Sequence, residues 1–260
     1  MAVSTGYAAA PAETERQRVF ARVRGRMSPW RLVVASCAIT LAAGAIGMTA
    51  LWVATSGTRS ASYPIAGPLL GIEIDVGHGD VEILGGGRST VHVRRTEHYA
   101  YDHGPQERLA LEGGVLKIRS VCASLAIGTC SADYSLAIPD NVSVTIRAAH
   151  GDVRLLGYHG SAYVTTTRGG IAVDEFCGFV LQATADRGDI DVATACAAEQ
   201  LELRSERGDV TAVVPPGRYQ VDADANGGRA TVRGLVAAAD APWRIQALSG
   251  SGNVTVEAGS

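Results

Sequence analysis

Six times in this chain a glycine is followed by a turn residue and then by alternating aliphatic residues. The instances are HGDVEI (78–83), HGDVRL (150–155), RGGIAV (168–173), RGDIDV (187–192), RGDVTA (207–212) and SGNVTV (251–256). A further copy, GGRATV (227–232), lacks the acidic residue. From Gly151 the repeated glycines fall at 169, 188 and 208, in steps of 18, 19 and 20 residues. A period near 20 implies stacked coils rather than an ordinary sandwich.

Within each unit the apolar residues alternate. Positions two and four after the glycine are Val153 and Leu155, Ile171 and Val173, Ile190 and Val192, Val210 and Ala212. A second alternating pair follows: Leu181 and Ala183, Leu201 and Leu203, Val221 and Ala223. Period-two alternation is a strand with one buried face. Two strands per unit, joined at one edge by Gly-Asp turns, describe an all-β parallel solenoid, or β-helix, of ~20-residue coils. Aromatic residues make up only 5% of the chain while hydrophobic residues make up 47%, as a narrow core of small aliphatic side chains requires. The turn slots are Gly79 and Asp80, Gly151 and Asp152, Gly169, Gly188 and Asp189, Gly208 and Asp209, Gly252 and Asn253. Glycine tolerates positive φ, and Asp or Asn bonds neighbouring backbone. The two Arg-Gly-Asp tripeptides are therefore a variable residue followed by a turn, not an adhesion-receptor signal. Histidine and serine fill the same leading slot elsewhere.

Residues 32–54 carry no charge. As a helix they span roughly 34 Å, against a hydrocarbon core of ~30 Å. Trp30 and Trp52 stand near the two ends, where indoles favour the interface. Arg16, Arg18, Arg22, Arg24, Arg26 and Arg31 precede the run, and the next arginine is Arg59. The positive-inside rule then makes 1–31 a basic cytoplasmic tail, 32–54 one transmembrane helix in the cell membrane, and the remainder extracytoplasmic. A cleaved signal peptide has a shorter apolar stretch of ~7–15 residues. The basic tail is also suited to anionic lipid headgroups. Residues 55–68, small and polar with two prolines, read as a tether, leaving 69–260 as the solenoid domain.

Cys177 and Cys196 each lie eight residues after a repeat glycine. Stacked coils bring equivalent slots to ~4.8 Å, within disulfide reach. Cys122 and Cys130 form a second, local pair. Four such cysteines suit an oxidising exterior, and no pair has the close spacing of a zinc knuckle. Cys37 is left over within the apolar run.

On these features the chain resembles the bacterial "putative adhesin" family of repeat ectodomains. The likeness lies in the Gly-Asp-Val units and in CSADYSLAIPDNVSVTIRAAHGDVRLLG (130–157), where a Cys precedes a Tyr-x-Leu strand and a Pro turn. VVPPGRYQVDA (213–223) is similar to a second family element. The resemblance spans roughly 70–258 and implies the fold. It brings no catalytic residues and no cofactor with it.

Arg168, Arg187 and Arg207 share one slot and are expected to form a column. Asp186, Glu206, Asp189 and Asp209 make it a solvated ion-pair ladder, and the sharper reading is an anion- or glycan-binding strip. The turn aspartates also raise calcium, although the second glycine pair of calcium-binding β-rolls is missing. His92, His98 and His103 with Asp102 suggest a metal or acid–base site, against exposed decoration of a hairpin. A net charge of −3 gives no pull toward nucleic acid. The sequence reading is a non-enzymatic structural, adhesive or envelope-interaction module without cofactor or metal. Its expected partners are membrane lipid, a cell-wall glycan or envelope protein, and a second copy through solenoid edges. The alternatives are a sensor signalling through the basic tail and a polysaccharide-cleaving β-helix enzyme.

Overall fold

In the computed structural model of the protein the described residues are 29–86, 90–101, 103–123, 128–140 and 142–259. The chain divides by compactness into Met1–Leu51 and Trp52–Ser260. Helix α1 (Pro29–Thr55) contains the span Val33–Val53, long and apolar enough to cross a membrane. Residues 1–28 of the basic tail and Asp102 lie outside the described residues, and 29–31 belong to α1.

Twenty strands follow among the described residues. The first seven are β1 (Gly57–Ile65), β2 (Gly71–His78), β3 (Val81–Gly85), β4 (Val91–Tyr99), β5 (Gln106–Glu112), β6 (Val115–Val121) and β7 (Cys130–Ile138). The repeat region supplies β8 (Ser143–His150), β9 (Val153–Leu156), β10 (Ala162–Arg168), β11 (Ile171–Phe176), β12 (Val180–Ala185), β13 (Ile190–Thr194), β14 (Gln200–Ser205) and β15 (Val210–Val214). The last five are β16 (Arg218–Ala225), β17 (Ala230–Arg233), β18 (Val236–Ala237), β19 (Trp243–Ser249) and β20 (Val254–Ala258).

Each coil gives one strand to each of two ten-stranded sheets. The first sheet runs β1-β4-β7-β3-β9-β11-β13-β15-β20-β17, the second β18-β16-β19-β14-β12-β10-β8-β2-β6-β5. Through the regular coils the ladders are parallel and the slots align as the spacing predicts: Val153, Ile171, Ile190 and Val210 are successive partners. So are Ile146, Val164, Ala183 and Leu203 on the facing sheet. All eight are buried, and these aliphatic columns form one core.

Coils do not all pile up in chain order. β19 lies between β14 and β16, and β20 between β15 and β17. At the other end β2 and β3 are tucked between β8/β9 and β6/β7. The first and last coils of the sequence are thus interior layers, each with ladder partners on both sides, and the sheet edges fall instead to β1, β17, β18 and β5. The unit at 227–232 is the coil that ends this stack, and it keeps the glycine register despite lacking Asp: a Cβ on Gly228 would stand 2.0 Å from the Gly252 carbonyl oxygen.

Residues 55–68 are not the expected tether. β1 is zipped antiparallel onto β4, from Gly57 opposite Tyr99 to Ile65 opposite Val91. Tyr63 and Ile65, alternate residues on the face of Val93 and Val91, pack against the core. The small polar residues before them hide that pattern in the sequence.

A buried polar network closes this end. Arg95, 8% exposed, pairs with Glu97 at 2.5 Å and Glu107 at 3.5 Å, and donates to the Pro105 carbonyl at 2.8 Å. Tyr63 and Tyr134 both donate to Glu107 Oε1, at 3.0 and 2.9 Å. Burial, reinforced by the Glu107 carboxylate, pushes the Tyr63 hydroxyl well above the ordinary tyrosine range. Burial does the same to Tyr134. Removing one member of such a buried pair leaves the other charge uncompensated.

Candidate functional site

The Gly-Asp edge is a set of parallel columns. Turn residues Gly169 and Gly188 have φ of +143° and +148°. A Cβ on Gly188 would lie 2.0 Å from the Gly169 carbonyl oxygen, and one on Gly169 equally close to that of Gly151. The glycines therefore serve close stacking as well as the turn. Just inside, buried hydroxyls cap the next carbonyls of the same column: Ser205 donates to Gly188 O at 2.9 Å and Ser249 to Gly208 O at 2.8 Å.

The turn aspartates do something that local turn chemistry does not foretell. Each carboxylate accepts the backbone N–H of the corresponding slot one coil away. Asp133 Oδ1 accepts from Asp80 N, Asp80 from Asp152 N, Asp152 from Gly170 N, Asp189 from Asp209 N, and Asp209 from Asn253 N, at 2.7–3.0 Å. Asn253 Oδ1 continues the ladder to Arg229 N at 3.1 Å. The one interior gap is Gly170, which has no side chain to offer the Asp189 N–H. These carboxylates are occupied by backbone donors, and among the described residues no group of three or more His, Cys, Asp or Glu is placed to hold a metal ion.

Beside the glycines runs the slot that precedes them. Gly151 N donates to Arg168 O, Gly169 N to Arg187 O and Gly188 N to Arg207 O, so these three arginines are stacked in register. The column continues past Arg168 to His150 and His78. The two imidazoles lie face to face, centroids 4.5 Å apart and planes parallel. Arg168 Nη1 donates to His150 Nε2 at 3.1 Å. The expected ion-pair ladder is only partly formed. Arg207 reaches Asp186 at 3.2 Å, but Glu206 is held by Arg204 at 2.9 Å instead. Arg187 makes no ion pair among the described residues.

A shallow hollow of about 280 Å³ indents the outer face of the first sheet, lined among others by Asp80, Glu82, Arg94, Thr96, Asp133 and Arg154. Another, about 340 Å³, lies over the ladder gap beside Gly170, Asp189 and Asp191. His98, from the sequence-noted cluster, bonds Asp133 Oδ2 at 3.1 Å and Thr58 at 3.3 Å. His92 lies exposed on the same strand, and His103 is held by the Tyr101 carbonyl at 2.5 Å. The three histidines are thus not gathered into one site.

Both disulfides join the cysteines paired by sequence. Cys177 and Cys196 have Cα atoms 5.0 Å apart, Cys122 and Cys130 6.1 Å. Cys37 is free. Residues 109–258, more than half of the chain, match the family model described as Toastrack DUF4097.

The chain belongs to the Toastrack DUF4097 family. Solved structures to which this Toastrack chain is similar include a "putative cell adhesion protein" from Clostridium sporogenes, 8% identical with a TM-score of 0.46, covering 78% of this chain and 100% of that one. A "putative adhesin" from Bacteroides fragilis is 11% identical with a TM-score of 0.46, covering 78% and 97%. A "putative lipid binding protein" from Parabacteroides distasonis is 13% identical with a TM-score of 0.25, covering 78% and 97%. No curated protein matches.

Sequence reasoning named the arginine column and both cysteine pairs. It placed histidine in the same repeat slot but did not extend the arginine column to His78 and His150. It also missed Arg95, Glu107 and Tyr63, whose partnership joins strands distant in sequence and leaves no local signature.

Proposed function

We propose that this Toastrack protein is a membrane-anchored, extracytoplasmic, non-enzymatic module that binds an extended cell-wall glycan along its Gly-Asp turn edge. Helix α1 is the anchor, with the arginine-rich tail inside. The two disulfides agree with an oxidising exterior.

The observation that carries the reading is the register of Arg168, Arg187 and Arg207 on successive coils. A rigid stack repeats one side chain every ~4.8 Å, which matches a polymer that itself repeats. Arg187 has no ion pair among the described residues, and Arg168 spends one donor on His150, so both guanidiniums retain donors for a ligand.

The test is sedimentation of the full-length protein in nanodiscs with isolated cell-wall polymer. Replacing the three arginines together, Arg168→Gln, Arg187→Gln and Arg207→Gln, should reduce the bound fraction several-fold. Unchanged binding removes the strip as the contact surface. Topology is checked separately: protease added to intact cells should cleave the solenoid domain and spare the tail.

A further inference from the structure

The arginine column is continuous with two histidines, and their geometry gives it a second property. His78 is the register partner of His150, and His150 of Arg168. Arg168 is a donor only, so its contact with His150 Nε2 at 3.1 Å exists while that nitrogen carries a lone pair. His150 Nδ1 faces the Gly77 carbonyl at 3.4 Å, which favours the proton on Nδ1. In this arrangement His150 is neutral and is hydrogen-bonded to the first arginine of the strip.

Protonating Nε2 reverses that contact. A guanidinium and an imidazolium then face each other with only donors between them. The stacked His78 ring, 4.5 Å away, becomes a third cation in the same line if it is protonated too. Like charges so close repel unless a counter-charge lies along them. The acidic groups around the column are largely engaged: Asp80 and Asp152 in the same turns by backbone N–H groups, Asp186 by Arg207, Glu206 by Arg204, and Asp133 by His98. None of these contacts is to either histidine. An anionic ligand lying along the strip would give the imidazoles the direct partner that none of these contacts gives.

Building on the turn-edge reading above, we infer that the binding strip is five residues long, His78–His150–Arg168–Arg187–Arg207, and that its ligand is an acidic glycan loaded together with protons. Five slots at the strand spacing cover about 19 Å, the length of several sugar units. Histidine is the side chain whose charge changes between about pH 5 and 8. With both histidines protonated the strip would carry five cations instead of three. The shared ligand chemistry is a row of anionic groups, either carboxylates of uronic acids or phosphates of a phosphodiester-bearing glycan.

The test uses the full chain in nanodiscs of zwitterionic lipid, with fluorescent polygalacturonate as the carboxylate probe and linear polyphosphate as the phosphate probe. Binding of at least one probe should tighten about 10- to 30-fold from pH 8 to pH 5, as two added charge contacts imply. The probe that tightens more identifies the anion. His78→Gln with His150→Gln should keep the pH 8 affinity and lose most of the tightening. His78→Arg with His150→Arg should bind tightly at pH 8 and show little pH dependence. His92→Gln with His159→Gln, the first on β4 and the second bonded to Asp140 at 3.2 Å, should follow the parent protein. Binding that depends on the arginines but is flat with pH, or a pH profile unchanged in the His78/His150 Gln variant, overturns this inference and leaves the turn-edge reading standing. No binding of either probe or of cell-wall polymer at any pH overturns both.

Discussion

Asp209 Oδ1 accepts the backbone N–H of Asn253 at 2.7 Å, although the two residues are 44 positions apart in the chain. The bond continues the turn ladder directly from β15 to β20 and passes over β16 and β17. It is the side-chain record of a stack whose last coil in sequence is not its last in space.

That order is open to a crosslinking test. Thr211 and Thr255 are register partners on the outer face, and Thr255 in turn pairs with Thr231. Thr211→Cys with Thr255→Cys should oxidise readily, since adjacent strands hold Cα atoms within disulfide range. Thr211→Cys with Thr231→Cys, neighbours only if coils stacked in chain order, should stay reduced. The reverse result in mass mapping would refute the intercalated end.

Two glycines separate close stacking from simple turn preference. Gly188 and Gly157 both have positive φ, but only Gly188 has a carbonyl 2.0 Å from where its Cβ would be. Gly157→Ala should cost about 1–2 kcal/mol, the left-handed penalty. Gly188→Ala should cost about 3 kcal/mol or more, because backbone must move. Denaturant melts that rank them equally would argue against the column.

The gap at Gly170 can be filled. An added Cβ would sit 3.4 Å from the Asp189 carbonyl oxygen, an ordinary contact, and the amide of Asn would face the Asp189 N–H. Gly170→Asn should raise stability by about 1 kcal/mol through one hydrogen bond and a less flexible unfolded chain. Asp would place another carboxylate between Asp152 and Asp189, and should gain less. Thermal melting of the two variants decides the point.

The disulfides should differ in worth. Cys177–Cys196 closes a separation of 19 residues and Cys122–Cys130 one of 8. On loop-closure entropy the Ser pairs should lose about 3 and about 2.5 kcal/mol respectively. A larger loss at the shorter loop in urea titrations would mean that it is not only a crosslink.

Alkali should destabilise the fold. Tyr134 and Tyr158 are buried, 1% and 0% exposed, and burial raises both hydroxyls above their ordinary range, as it does Tyr63 and Tyr219. Their contribution is fully present below the unfolded-state pKa near 10 and is lost as pH rises through the higher folded values, because only the unfolded chain ionises in between. Each deeply buried tyrosine can remove up to about 1.4 kcal/mol per pH unit above pH ~10. Melts between pH 8 and 11 should show the decline, and Tyr158→Phe should flatten it.

The repeat period, strand alternation, turn slots, arginine column and cysteine pairs were legible because each is written locally. A glycine marks a turn, alternate aliphatics mark a buried face, and equal spacing makes equal slots neighbours. The tether reading of 55–68 failed because Tyr63 and Ile65 are too sparse a signal amid Ser, Thr and Pro. The ion-pair ladder was only half right because side chains choose among several charges within reach, as Glu206 chose Arg204.

By itself, then, the sequence determined the coil: its length, its two strands, its inward columns and its Gly-Asp edge. Only the tertiary structure decided which coil lies on which, that the turn carboxylates bind the next coil's backbone, and that His78 stacks on His150 at the end of the arginine line. The physical reason is that a parallel ladder is held by backbone N–H and C=O groups common to every residue. The ladder alone would let any coil stack on any other, so the order is not written in the repeat itself.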